Sequence, residues 1–289
     1  MVLEHAVKTL NVGARCSLVV AAMFATAGAF AACAHSEKAD GEDAPDASGT
    51  FAPEGGDTAR PVNGEVFGHS ENRLFRVDTL THVVQDIGYF QGCSYVADIA
   101  LDSQSNMVAS TGTDLYLVEN NTGRCTKIAT GTFPNSLSYV PAGTFALDEE
   151  TLVGFQGGDY VKIDPASGKV DKLGSLGGGF ESSGDVVSAI GGKTYVTVRG
   201  PSCNDCLAEI DPKTGQMTKN WGSLGKSDVF GLAFWAGELY AFTNAGELVL
   251  VTLANDKLET EVVPITNAPP GLKFWGAGST TSAPTGPVR

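Results

Sequence analysis

After Arg60 the chain alternates apolar and polar residues with a period of two, in short runs broken by Gly, Asn, Asp and Pro. Five runs align on one another: 74–78 (LFRVD), 115–119 (LYLVE), 160–164 (YVKID), 207–211 (LAEID) and 248–252 (LVLVT). With Val77, Val118, Ile163, Ile210 and Val251 as anchors, the spacings are 41, 45, 47 and 41 residues. That is the period of a four-stranded propeller blade. Other signals keep phase. A second strand is expected before each anchor, at 107–110, 152–155, 194–198 and 239–242, and an innermost strand before that, at 96–101, 136–140, 184–188 and 231–235. Gly123, Gly168 and Gly215 each lie four residues after an acidic strand end. There the acidic side chain caps the turn and Gly supplies positive φ, predicting hairpins into fourth strands at 124–130, 169–173 and 216–221.

The two ends complete each other. Residues 65–69 read as a second strand lacking a first, and 271–275 (GLKFW) as a first strand with only a short tail after it. The expected fold is all-β: a five-bladed propeller closed by N- and C-terminal strands sharing one blade, which removes exposed sheet edges. An open β-sandwich would hold the same strands but leaves their common phase unexplained. The propeller domain is expected over 61–281, with a C-terminal tail at 282–289.

Ahead of the repeats, 18–32 is a run of 15 uncharged residues preceded by Lys8 and Arg15. It suits a signal-peptide core and is short of the ~20 residues of a permanent span. Phe30-Ala31-Ala32-Cys33 resembles the bacterial lipobox, with Phe in place of the favoured Leu. The resemblance implies a leader of 1–32 and lipidation at Cys33, and Ala34, where an Asp would signal inner-membrane retention, implies the outer membrane. Ordinary cleavage near Ala32, giving a soluble secreted protein, is the alternative. Residues 33–60 are rich in Gly, Ala, Pro, Ser and Thr, and set seven acidic residues against Lys38 and Arg60. They read as a disordered acidic linker that cannot bury enough apolar surface to order itself.

The stretches GLAFW, GLKFWGAGSTTSAP, VADIALD and DPxTG resemble those of uncharacterised bacterial lipoproteins with WD40-like or quinoprotein-like propeller repeats, over roughly 62–281. The resemblance implies architecture; the Trp-Asp repeat ending and the tryptophan-docking pattern are both missing.

A net charge of −14 makes nucleic acid and anionic headgroups poor partners, so the membrane is expected to be met through the lipid alone. Export favours disulfides among Cys93, Cys125, Cys203 and Cys206. A local Cys203–Cys206 bridge in the loop between second and third strands would leave Cys93–Cys125 by elimination, although Cys125 on a fourth strand and Cys93 before an inner strand need not come within bonding distance. A redox motif or half a zinc site are the competing readings of this CxxC. No motif for a cofactor, metal or nucleophile is visible. Alignment of the inner strands puts Asp98, Ser136, Asp185, Gly231 and Gly271 at equivalent points, with Asn135, Ser183 and Asp228 just outside. Together Asp98, Asn135, Ser136, Ser183, Asp185 and Asp228 form a candidate ligand rim at the channel mouth, or simply the polar wall of a wet channel. The expected function is a monomeric, non-enzymatic binding or scaffold module with an unknown protein or glycan partner. A lectin using Trp221, Trp235 or Trp275 is the alternative, although Trp235 and Trp275 also suit repeat-core packing. Less favoured is a glycoside hydrolase using two of Asp98, Asp185, Asp228 and Glu181.

Overall fold

The computed structural model describes residues 64–287; the leader, Cys33 and the 33–60 linker lie outside them. Strands β1 (Val66–His69), β2 (Arg73–Asp78) and β3 (Val83–Tyr89) make three quarters of the first blade. The second blade is β4 (Asp98–Leu101), β5 (Met107–Ser110), β6 (Asp114–Val118) and β7 (Cys125–Thr130). The third is β8 (Leu137–Val140), β9 (Thr151–Gln156), β10 (Asp159–Ile163) and β11 (Val170–Ser175). The fourth is β12 (Glu181–Ser188), β13 (Thr194–Gly200), β14 (Cys203–Ile210) and β15 (Met217–Ser223). The fifth is β16 (Val229–Trp235), β17 (Glu238–Thr243), β18 (Leu248–Ala254) and β19 (Lys257–Val263). The last strand, β20 (Gly276–Ser279), returns to pair with β1 as the inner strand of the first blade. All five sheets are antiparallel and four-stranded, and β4, β8, β12, β16 and β20 each touch the next around a central channel. The face where these inner strands begin is called upper below, and the face where they end, lower.

Burial follows position in the blade. Inner strands β4, β8 and β20 are buried at every residue, because blades flank both of their faces. Fourth strands such as β7 and β11 are half-exposed and carry Thr, Lys and Asp. The apolar core is therefore divided into five wedges, one at each blade–blade interface. In the wedge between the fifth and first blades, Phe274 sits edge-on to both Phe242 and Phe75, with ring centroids 5.0 and 6.1 Å away.

The hairpin turns are built as the acidic residue plus Gly spacing predicts. Gly123, Gly168 and Gly215 have φ of 70°, 71° and 68°, and their N–H groups donate to the carbonyls of Glu119, Asp164 and Asp211 at 2.8, 2.7 and 2.8 Å. The Asp164 and Asp211 carboxylates accept from the backbone N–H of Ala166 and Lys213. In the first blade His82, at φ 55°, fills the glycine position behind Asp78.

Three expectations need correction. The closing strand is 276–279, not 271–275. Leu272 N–H donates to Pro269 O, making 269–272 a turn, and Phe274 turns down into its wedge. The following Gly-Ala-Gly-Ser then fits where the channel wall leaves no room for bulk, so the point equivalent to Asp98 is Gly276 and not Gly271. Cys203 and Cys206 lie on strand β14 rather than in a loop. A left-handed Asp205 (φ 48°) bulges the strand and brings their Cα atoms to 5.9 Å, against the ~10 Å of an extended i, i+3 pair. The start of the 282–289 tail is packed: Ala283 is buried and Pro284 O accepts from Gly237 N–H.

A Cβ at Gly231 would lie 2.7 Å from both the Cβ and the N of Ala277 on the closing strand. Gly231→Ala is therefore expected to cost ~1–3 kcal/mol and to lower Tm by several degrees. Gly286→Ala, with nothing nearby, should leave Tm unchanged. Thermal unfolding of both variants checks this, and equal Tm values would contradict it.

Candidate functional site

The six residues of the expected rim do not form one surface. Asp98, Ser136 and Asp185 are fully buried, Asn135 and Asp228 are exposed, and Ser183 is intermediate. The reason lies in what the buried carboxylates bind. Asp98, first residue of β4, accepts through Oδ2 the N–H of Leu137 on the next blade's inner strand at 2.6 Å. Two blades on, Asp185 does the same with Leu232 N–H at 2.7 Å, while its Oδ1 accepts from Val186 N–H at 2.6 Å. An inner strand is the free edge of its sheet, so its inward N–H groups lack a ladder partner. The two aspartates satisfy those donors and tie the second blade to the third and the fourth to the fifth. Ser279 Oγ accepts from Phe234 N–H at 2.9 Å, tying the fifth to the first. Ser110 Oγ donates to Pro134 O, a further link between the second and third.

The buried carboxyl groups of Asp98 and Asp185 also interact electrostatically with each other. Burial pushes both well above the usual carboxylate range, and the charge of Asp98 raises Asp185 further. Next to them is a residue that alignment of the inner strands alone does not reach. His69, the last residue of β1, is fully buried with Nε2 3.7 Å from Asp98 Oδ1. Its Nδ1–H donates to Ser70 O at 2.9 Å, and burial lowers its pKa to about 4, so the ring is neutral at pH 7. Neither His69 Nε2 nor Asp98 Oδ1 has a hydrogen-bond partner among the described residues. Gly276 packs directly against both atoms. Among the described residues, no cluster of three or more His, Cys, Asp or Glu is placed to hold a metal ion.

The cysteines pair as Cys93–Cys125 and Cys203–Cys206, with Cα–Cα distances of 5.7 and 5.9 Å. The first pair meets because the segment between β3 and β4 runs beside the β6–β7 turn: Gln91 N–H donates to Gly123 O, and Cys125 N–H to Gln91 O. The second holds the bulge whose Asp205 carboxylate accepts from Asp228 N–H at 2.9 Å. That contact places Asp228 in a connection leading to β16, not in the channel.

The tryptophans divide as well. Trp235 is buried and Trp221 half-buried, but Trp275 is 37% exposed, which corrects the expectation that it packs as repeat core. It stands on the upper face because it precedes the closing strand. Tyr89 and Tyr95 are also exposed on this face, and all three surround the β1–β2 turn. The N–H groups of Trp275, Val96 and Phe90 donate to the carbonyls of His69, Glu71 and Asn72.

The fold is that of a five-bladed β-propeller whose inner-strand carboxylates serve the ring itself. No family model matches the chain, and no curated protein matches it. Solved structures to which it is similar include hydrazine synthase of Kuenenia stuttgartiensis, at 11% identity and TM-score 0.40, covering 72% of this chain and 64% of that one. A chain of a nidogen/laminin complex is similar at 11% identity and TM-score 0.47, covering 75% of this chain and 98% of that one. A symmetrical protein from a study of de novo evolutionary emergence is similar at 17% identity and TM-score 0.44, covering 76% and 99%. These likenesses concern chain architecture and carry nothing about ligand or activity.

The buried groups set opposing pH dependences. The folded carboxyl pair keeps a proton that the unfolded chain releases near pH ~4, so its stabilising contribution is full below that value and is lost as pH rises through the raised folded value. His69 contributes fully above 6.5 and loses its contribution as pH falls towards about 4. The pair's contribution therefore falls as pH rises from ~4, and Asp185→Asn removes the ionisable member of the pair. The Tm of the native chain minus that of Asp185→Asn is expected to be largest near pH ~4 and to shrink as pH rises. Thermal unfolding of both across that range measures this, and a difference that does not change with pH would contradict it.

Proposed function

We propose that this chain is a lipid-anchored protein of the bacterial envelope that displays its propeller as a non-enzymatic binding module. The leader 1–32, lipidation at Cys33 and the acidic linker supply the anchor and tether, with the outer membrane as the expected location. The observation that carries the binding reading is the use of Asp98 and Asp185 as ties between blades. Buried and bonded to backbone amides, they stiffen the ring. Exposed polar and aromatic residues are left to the upper-face loops, where rigid scaffolds place recognition. The polarity of the chain supports display: it enters the ring at Gly64, at the lower end of β1, opposite those loops.

A hydrolase would need a free acid and base. Asp98 and Asp185 are committed to amides, and Glu181 pairs with Arg199 at 3.1 Å, which favours binding over turnover. A carbohydrate-binding role is the second reading, favoured by the exposed ring of Trp275.

The anchor is tested by radiolabelled palmitate incorporation and membrane fractionation. The native chain should be labelled and sediment with membranes, and Cys33→Ala should be unlabelled and released. Equal sedimentation of both would contradict lipid anchoring. For the module, cross-linking in intact envelopes should give the same partners with Asp98→Asn as with the native chain. Catalytic turnover abolished by that substitution would overturn the binding reading.

A further inference from the structure

The lower face carries a cavity of about 480 Å³ lined by Asp102, Ser103, Tyr139, Asp148, Glu149 and Glu150, among others. No Lys or Arg lines it, and none of its four carboxylates is paired with a cation among the described residues. Two of them are built into the wall. Asp102 caps its own turn, accepting from the N–H groups of Gln104 and Asn106 at 2.9 Å. Glu150 accepts from Ser103 N–H at 2.8 Å and from the Thr281 hydroxyl, which joins the third blade to the second and to the segment after β20. Asp148 and Glu149 are exposed, and their carboxylates accept no hydrogen bond among the described residues.

An independent observation comes from Tyr139 on β8. Its ring packs in the wedge between the second and third blades, and the residue is only 8% exposed. The hydroxyl emerges into the cavity beside Asp102 and Glu150. Burial, then the charges of those two carboxylates, push its pKa above the usual tyrosine range. That hydroxyl has no hydrogen-bond partner among the described residues. Packing alone does not call for it, since the equivalent points on the other inner strands are Leu101, Ser188, Phe234 and Ser279. An unpaired polar group in so enclosed a place calls for a partner from outside the chain.

We propose that this cavity binds an aliphatic polyamine, with one ammonium held by the Tyr139 hydroxyl and the Asp102 and Glu150 carboxylates, and another at Asp148 and Glu149. Its volume falls in the ~300–1,000 Å³ range of small-molecule sites. An ammonium donates hydrogen bonds and accepts none, which matches a lining of carboxylate and hydroxyl oxygens. Pro165 and Ile190, the latter 51% exposed, offer apolar surface to the methylenes between the charges. A compact divalent ion is a poorer match, because no cluster of three or more ligating side chains converges among the described residues. The inference adds a site and a ligand class on the face opposite the upper loops. It rests on neither the lipid anchor nor the carbohydrate-binding reading.

The test is isothermal titration of the full chain with spermine, butylamine, tetralysine, Mg²⁺ and Ca²⁺. The native chain should bind spermine at least about tenfold more tightly than butylamine, and Asp148→Asn combined with Glu149→Gln should weaken spermine by about tenfold. Tyr139→Phe removes a hydroxyl and no charge, and should weaken it about threefold to tenfold. Glu259→Gln combined with Glu261→Gln removes the same charge from β19 of the fifth blade and should change nothing. Unchanged thermal unfolding of each variant shows that the fold is kept. Equal weakening by the two acidic pairs, the mark of diffuse attraction, overturns the proposal, as does full affinity in Tyr139→Phe. Tighter binding of Mg²⁺ or Ca²⁺ than of spermine overturns it in favour of a metal site, and tighter binding of tetralysine in favour of a basic protein segment. No binding of spermine overturns it and leaves the anchored-module reading to its own tests.

Discussion

The ring depends on a pairing between its two ends. Strand β20 lies against β1 over four residues, from Val66 opposite Ser279 to His69 opposite Gly276. Without it the first blade loses its inner strand, β1 becomes an open edge, and two wedges of core lose a wall. Phe274 and Ala277 pack in the wedge between the fifth and first blades. On its other side β20 touches β4 of the second blade. Each blade in a propeller contacts only its neighbours, as in linear repeat proteins. Closure converts that line of local interfaces into one cooperative unit, and the price is steric. The closing strand has to be nearly bare of side chains, because Gly231, His69 and Asp98 already occupy the space that larger residues would fill.

The second layer of constraint is polar. Inner strands expose backbone donors towards the channel, and Asp98, Asp185 and Ser279 satisfy donors on the neighbouring inner strands. Burying carboxylates for this purpose raises their pKa and leaves His69 neutral beside them. The chemistry that looks most like a catalytic or ligand site in the sequence therefore holds the ring together. The exposed polar and aromatic side chains lie further out, in loops such as the β1–β2 turn and the segment 269–275.

Much of the architecture was legible because propeller repeats carry redundant signals. The anchors at Val77, Val118, Ile163, Ile210 and Val251 fix the third strands, and the acidic residue with a glycine four positions later fixes the hairpins. The local pattern points to a closing strand five residues too early for a physical reason: Phe274 and Trp275 look like strand residues, whereas Gly-Ala-Gly-Ser looks like a loop. Only the crowding of the channel wall, a property of the assembled ring, reverses that preference. The same holds at His82, which adopts the left-handed turn position without a glycine to mark it. The burial of Asp98 and Asp185, their ties to Leu137 and Leu232, and the approach of His69 all depend on blade-to-blade geometry that no local pattern encodes.

The central claim is that closure by β20 makes five blades one cooperative structure. Hydrogen exchange followed by mass spectrometry, on the full chain and on a chain ending at Trp275, tests it most directly. The account predicts that the shortened chain loses slow exchange in the middle strands of all five blades together, including β9 and β13, which lie far from the missing strand. Native protection retained in the second to fifth blades, with loss confined to the first, would contradict it.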